Sequence, residues 1–167
     1  FPRHPMFRKL LNNINYPLAA PSANISSRLS SVKALDVIEE FGSKIKYVLD
    51  GGKCKIGVES TIINLLNKPT LLRFGGLDIQ DIEKILKKKL IIKNNSKKKI
   101  APGQFSLHYS PGIPLRMNAK KPKNNEAFVL IKKRKDVFKN SYYLSKKNDL
   151  QESAKNLYSL LRRIKKD

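Results

Sequence analysis

The residues best suited to chemistry lie in Tyr16-Pro-Leu-Ala-Ala-Pro-Ser-Ala-Asn24, followed by Ile-Ser-Ser-Arg28-Leu-Ser30. An apolar run stops at a proline and then presents a hydroxyl at Ser22 and a carboxamide at Asn24. Pro21 removes a ladder donor and biases Ala20 toward extended geometry, so the run predicts a strand ending in a shaped loop. Ser22 supplies a donor and acceptor sites, and Asn24 supplies both functions, a set that suits recognition of phosphate, sugar or base. The same residue types build an ordinary Asx or Ser turn, so this loop alone leaves both readings open.

Three further islands accompany it. Asp50-Gly-Gly-Lys-Cys-Lys-Ile-Gly57 reads as a tight glycine turn, and Val58-Glu-Ser60-Thr61-Ile-Ile-Asn64-Leu opens a β-branched run with Ser60 at its entrance. Thr70-Leu-Leu-Arg73-Phe-Gly-Gly76 ends a second short strand on a cation and two glycines, where a backbone can approach a ligand closely. The fourth island is Ala101-Pro-Gly-Gln104 with His108-Tyr109-Ser110-Pro111. In this order and spacing the islands resemble the threonylcarbamoyl-AMP synthase family, the YrdC-like enzymes of tRNA modification, in a long form with an appended C-terminal domain. The resemblance runs from Phe1 to about Pro114 and continues more weakly to the end.

That resemblance implies a nucleotidyltransferase making threonylcarbamoyl-AMP from L-threonine, bicarbonate or carbon dioxide and ATP, with release of pyrophosphate. It implies no tightly bound cofactor; ATP is a substrate, and any Mg²⁺ arrives with it, held mainly by phosphate oxygens. Carried over by position, Ser22 and Asn24 match the nucleotide-binding, catalytic serine and asparagine. Ser30 matches a further ATP contact, and Arg73 the arginine that reaches the nucleotide. Ala20 and Ser60 match the threonine-facing positions. In the long form the linker folds back over the pocket, so Tyr109 beside His108 is the expected ATP contact from a lid.

Some positions depart from the family pattern. Phe74 stands where proline usually follows the arginine, and Asn64 where an aspartate is common. The family's arginine-x-proline-x-histidine-proline stretch would place its arginine, a threonine ligand, immediately before Phe1. The lysine-x-arginine motif of the upstream half of the catalytic domain is not in this sequence. The resemblance therefore implies a fragment, expected to be inactive or nearly so by itself.

Composition bounds the rest. The chain has 167 residues, 40% of them hydrophobic, enough for one domain or pieces of two. No apolar stretch reaches membrane-spanning length and no signal-like start is visible, so a cytoplasmic protein with no membrane partner is expected. Cys54, the single cysteine, cannot form an internal disulfide, and two histidines make no metal cluster. A net charge of +22 attracts polyanions, which admits contact with tRNA or double-stranded RNA beside the downstream threonylcarbamoyl-transfer machinery. The runs Lys87-Lys88-Lys89, Lys97-Lys98-Lys99 and Lys132-Lys133-Arg134-Lys135 lack interleaved aromatics, so a merely solvated basic face is the competing reading. An RNA-binding module without catalysis is the alternative function, and a non-catalytic interaction domain ranks third.

The elements that must position these residues follow from breakers and periodicity. Pro5 predicts the first turn of a helix through Leu10 and Leu11. Ser30 or Ser31 predicts the cap of a second helix, with Ala34, Leu35, Ile38 and Phe41 on one face and Gly42 at its end. Short strands are expected over residues 46–49, 60–65 and 70–73. Asp78 predicts a helix with Ile79, Ile82, Ile85 and Leu86 inward. The polar run 93–99 should end the catalytic part, and residues 100–125, with four prolines, read as an extended linker. Strands are expected over 127–131 and 141–144. Asp149 and Glu152 form a capping-box pattern before Leu150, Ala154, Leu157, Leu161 and Ile164. The expected class is α/β. The C-terminal part of a YrdC-like mixed α/β catalytic domain occupies 1–92, the linker or lid 93–125, and the start of a smaller, Rossmann-like α/β domain 126–167.

Overall fold

Pro5 at the first helical position starts α1 (Pro5–Leu11), as its missing N–H and fixed φ favour. The computed structural model describes residues 2–92, 101–103, 108–135 and 138–167. Within these the architecture is mixed α/β, with two small sheets. The expected polar boundary at 93–99 and residues 104–107 of the expected lid lie outside the described residues.

The first sheet is built from β1 (Ile62–Asn64), β2 (Thr70–Arg73) and β3 (Ile91–Ile92), in that order. β1 and β2 run antiparallel, with Ile62 opposite Arg73 and an irregularity between Ile62 and Ile63, while β3 is parallel to β2. Leu71 in β2 is buried, as is Leu90 just before β3. Two other expected strands are absent. Residues 16–20 and 46–49 form no ladder, and Tyr16, Leu18, Tyr47 and Leu49 are exposed. β-propensity is realised only against a neighbouring strand and a packed face, and no strand among the described residues runs beside either segment.

α2 (Ala34–Phe41) ends at Gly42, whose φ of 53° suits glycine. Its start differs from expectation. Lys33 takes the cap position, because the Ser30 hydroxyl is engaged by Glu59 and that of Ser31 donates to the Ala23 carbonyl at 2.6 Å. The expected inward face is also corrected, since Leu35 and Ile38 are exposed. The helix instead turns Asp36 and Glu40 inward; Asp36 accepts the Val32 N–H at 2.9 Å.

Asp78 caps α3 (Ile79–Leu86) as expected, accepting the Gln80 N–H at 2.8 Å. Ile85 is the exception on the expected inward face: it is 82% exposed. At 100° per residue it falls well off the arc shared by Ile79, Ile82 and Leu86.

The second sheet pairs β4 (Phe128–Leu130) in parallel with β5 (Ser141–Tyr143), followed by α4 (Leu150–Ile164). This is the expected β-β-α order. Asp149 accepts the Gln151 and Glu152 N–H groups at 2.7 and 3.1 Å. The reciprocal arm of the capping box is different, because Ser145 accepts the Asp149 N–H at 3.0 Å and itself donates to Glu152.

α4 is not confined to the second sheet. One side holds to it, with Asn156 Nδ2 donating to the Leu144 carbonyl at 2.9 Å. The other packs on the N-terminal part, where Leu29, Val32 and Tyr158 form a buried cluster joined by Val58, Tyr109, Leu157 and Leu161. Covered on two sides, α4 buries Ser153, Tyr158 and Leu160 more deeply than its simple apolar stripe would, and leaves Leu150 exposed. Gly57, at φ 82°, permits this approach: a Cβ there would meet the Lys155 backbone at 2.4–2.8 Å.

Candidate functional site

The end of β2 and the entrance of β1 meet where the antiparallel register places Arg73 opposite Ile62. Arg73 Nε donates to the Ser60 carbonyl at 3.0 Å and Nη2 to the Ser60 hydroxyl at 3.1 Å. Its Nη1 lies 3.5 Å from the Tyr109 hydroxyl. Three residues singled out from the sequence thus share one hydrogen-bonded group, a guanidinium flanked by two hydroxyls. Gly75 and Gly76 make room for it. A Cβ on Gly75 would come within 2.2 Å of the Ser60 carbonyl carbon and the Thr61 nitrogen, and the Gly76 N–H donates to the Glu59 carbonyl at 2.9 Å.

Tyr109 reaches this group from the proline-rich segment. Its φ is 57°, a conformation that a bulky residue adopts at a local cost. The segment is pinned by the Ser110 N–H donating to the Ser27 carbonyl at 2.8 Å, within a parallel bridge between Arg28 and Ser110. The Tyr109 ring stacks on Tyr158, with centroids 5.7 Å apart, and meets His108 edge-on at 4.0 Å. Gly103 passes close by: a Cβ there would touch both Arg73 Cδ and the Tyr109 hydroxyl at 3.0 Å. His108 Nδ1 is buried and has no hydrogen-bond partner among the described residues.

Ser30 is buried and adjoins the group indirectly, through its hydrogen bond to Glu59. Ser22, Asn24 and Ala20 remain on the preceding loop. Ser22 and Ala20 are exposed, and the Ser22 carbonyl accepts the Asn24 N–H at 3.0 Å in a tight turn. Asn24 Nδ2 donates to the Ile25 and Arg28 carbonyls at 3.0 and 3.2 Å. Its Oδ1 is buried without a partner among the described residues, an acceptor held ready by the loop's own bonds.

Sequence reasoning missed Glu59 and Tyr158. The Tyr158 hydroxyl donates to Glu59 Oε2 at 2.9 Å, across 99 residues of chain. A carboxylate beside Ser60 was the one local signal for Glu59; nothing local marked Tyr158.

Burial raises the pKa of Tyr109, with the Glu59 charge adding to the effect and Arg73 opposing it. Burial, the Glu59 charge and the Glu59 hydrogen bond push Tyr158 further up. Both values lie above the unfolded tyrosine value of about 10. The stabilisation they report is therefore complete below about pH 10 and is lost as pH rises through the folded values. An alkaline absorbance titration of the six tyrosines is expected to show a late phase that accompanies loss of α4 docking and shrinks in Tyr158→Phe. Ionisation of all six in one early step would contradict this.

Comparison with known proteins adds to this geometry. Residues 1–75 match the Sua5/YciO/YrdC family profile described as "Telomere recombination", and residues 77–167 the profile described as "Threonylcarbamoyl-AMP synthase, C-terminal domain". The threonylcarbamoyl-AMP synthase of Pyrococcus abyssi is 43% identical over 115 residues, covering 66% of this chain and 34% of that protein. That of Bacillus subtilis is 37% identical over 118 residues, covering 68% of this chain and 34% of that protein. The crystal structure of P. abyssi Sua5 with L-threonine superposes at a TM-score of 0.70 with 31% identity, over 89% of this chain and 49% of that one. A P. abyssi Sua5 variant with an adjacent histidine and tyrosine replaced by alanine superposes at 0.74 with 28% identity, over 99% and 53%. The chain thus spans about a third of the length of these two curated relatives and about half of the solved chains.

Proposed function

Given that the chain belongs to the threonylcarbamoyl-AMP synthase family, we propose that it serves the synthesis of threonylcarbamoyl-AMP from L-threonine, bicarbonate or carbon dioxide and ATP. The observation that carries the reading is the Arg73 guanidinium hydrogen-bonded to Ser60 and close to Tyr109 at the strand ends. In this reaction the threonine carbamate oxygen attacks the α-phosphorus of ATP, the bond to the bridging oxygen breaks, and pyrophosphate leaves. The needs are to gather anions, to spread charge on phosphorus and to keep water from a labile carbamate.

In our assignment Arg73 meets the phosphates, for which a planar fork of donors is suited. Ser60 and Ala20 face the threonine; the L-threonine complex of P. abyssi Sua5 supports that substrate. Ser22, Asn24, Ser30 and Tyr109 take the nucleotide. Asn24 Oδ1 and His108 Nδ1, both without a partner among the described residues, support a polar ligand at this loop and strap. This chain contains a single His-Tyr pair, His108-Tyr109, which gives the P. abyssi histidine-tyrosine variant its relevance here.

Magnesium enters this scheme on the ATP phosphates, as a hard cation that prefers oxygen ligands. In this reading residues 1–92 form the catalytic part, 93–125 the linker or lid, and 126–167 the start of the C-terminal domain. It also places the reaction in the cytoplasm, handing its product to the tRNA-modifying transfer machinery, with the +22 charge available to attract tRNA. No helix among the described residues is long and apolar enough to cross a membrane.

Pyrophosphate release that requires both threonine and bicarbonate, assayed in the protein as its gene encodes it, tests the reading. Ser22→Ala and Asn24→Ala are each expected to weaken it by about 1–2 kcal/mol through a lost polar contact. Unchanged turnover in both variants would remove this loop from the mechanism.

A further inference from the structure

Two carboxylates, Glu40 and Glu59, stand between α4 and the loop carrying Asn24 and Ser30, and the chemistry above uses neither. Glu59 accepts the Ser30 hydroxyl on one oxygen and the Tyr158 hydroxyl on the other. Glu40 accepts the Ile25 N–H at 3.3 Å and Arg28 Nη1 at 3.5 Å on Oε1, and Arg162 Nη1 at 3.2 Å on Oε2. Arg162 Nη2 also donates to the Leu29 carbonyl at 2.6 Å.

Tyr158 and Arg162 are four residues apart, so they project from one face of α4. That face grips the loop at both ends. The Arg162–Glu40 pair is largely desolvated, with side-chain exposures of 15% and 6%, a setting in which charges are tolerated only when paired. Arg162 thereby holds α4 in register on the loop. Tyr158, fixed by that register, makes two contacts with residues assigned to the nucleotide: its ring stacks on Tyr109, and its hydroxyl reaches Ser30 through Glu59.

We propose that Tyr158 is a positioning residue of the nucleotide site, setting the Ser30 hydroxyl through Glu59 and the Tyr109 ring by stacking. This rests on the reading that Ser30 and Tyr109 contact ATP. The helix thus couples the C-terminal part of the chain to the nucleotide half of the site. Threonine recognition is assigned to Ala20 and Ser60, and Ser60 is linked to Tyr158 only at a distance, through Tyr109 and Arg73, so it is expected to feel the substitution much less. Tyr158→Phe keeps the ring and removes only the hydroxyl, so it separates positioning from packing.

Calorimetric titration of ATP and, separately, of L-threonine into the protein as its gene encodes it provides the test. Tyr158→Phe is expected to lower ATP affinity roughly five- to tenfold, the size of one lost hydrogen bond, and to change threonine affinity less than about twofold. In a Ser30→Ala background the same substitution is expected to add almost nothing, because both act through Glu59. Additive losses, or equal ATP affinity in wild type and Tyr158→Phe, would overturn the inference alone. A parallel fall in both affinities together with the unfolding midpoint would overturn it too, making α4 a structural support. A wild-type protein that binds no ATP would remove the functional reading, and this inference with it.

Discussion

Arg73→Ala is expected to cost about 3 kcal/mol of ATP binding, close to a hundredfold, because charge-assisted hydrogen bonds are worth about 1.5–3 kcal/mol each. The side chain does two things at once. In the proposed assignment it brings a guanidinium to the phosphates, and it fixes Ser60 through the carbonyl and the hydroxyl while approaching Tyr109. Arg73→Lys is therefore expected to recover only part of the loss, since an ammonium supplies charge without the fork. Titration of ATP into wild type, Arg73→Ala and Arg73→Lys decides the matter. Equal affinity in wild type and Arg73→Ala would reduce the residue to a strut between β2 and Ser60.

Gly75→Ala is expected to be strongly damaging for so small a substitution. The added methyl would lie 2.2 Å from two backbone atoms of Ser60 and Thr61 and 2.5 Å from the Glu59 carbonyl oxygen. No rotamer relieves a clash with backbone, so β1 and β2 must separate where Ser60 is held. Overpacking of this kind costs about 3 kcal/mol, which for a chain of this size lowers the thermal midpoint by roughly 10 °C. Thermal unfolding followed by circular dichroism measures it. At temperatures where the variant remains folded, its threonine affinity is expected to fall because Ser60 has moved. A variant as stable as wild type would mean that the Gly75-Gly76 turn is not packed against Ser60.

Contacts among the appended elements explain why these effects should spread. Ser30, Glu59, Tyr158, Tyr109, Arg73 and Ser60 form an unbroken chain of hydrogen bonds and ring contacts from α4 to the end of β2. Neighbours in such a network do not contribute independently.

Local chemistry made much of this protein legible in its sequence. Pro5, Asp78 and Asp149 mark helix starts through effects confined to a single turn, and Gly42 marks an end. The strands of residues 62–64, 70–73, 128–130 and 141–143 lie in β-branched or aromatic runs bounded by breakers. The order of the motif islands identified the family, and it pointed to Ser60, Arg73 and Tyr109 before their contact was seen. What failed depended on partners far along the chain. Residues 16–20 and 46–49 have strand composition, yet a strand exists only where a neighbour supplies its ladder. Leu35, Ile38 and Ile85 have helical spacing, yet only packing decides which face is covered. Tertiary structure alone brought Tyr158 to Glu59 and Arg162 to Glu40, because a hydrogen bond between residues 99 or 122 positions apart leaves no trace in either local sequence. Those long-range contacts hold the second part of the chain against the first, beside the Arg73, Ser60 and Tyr109 group.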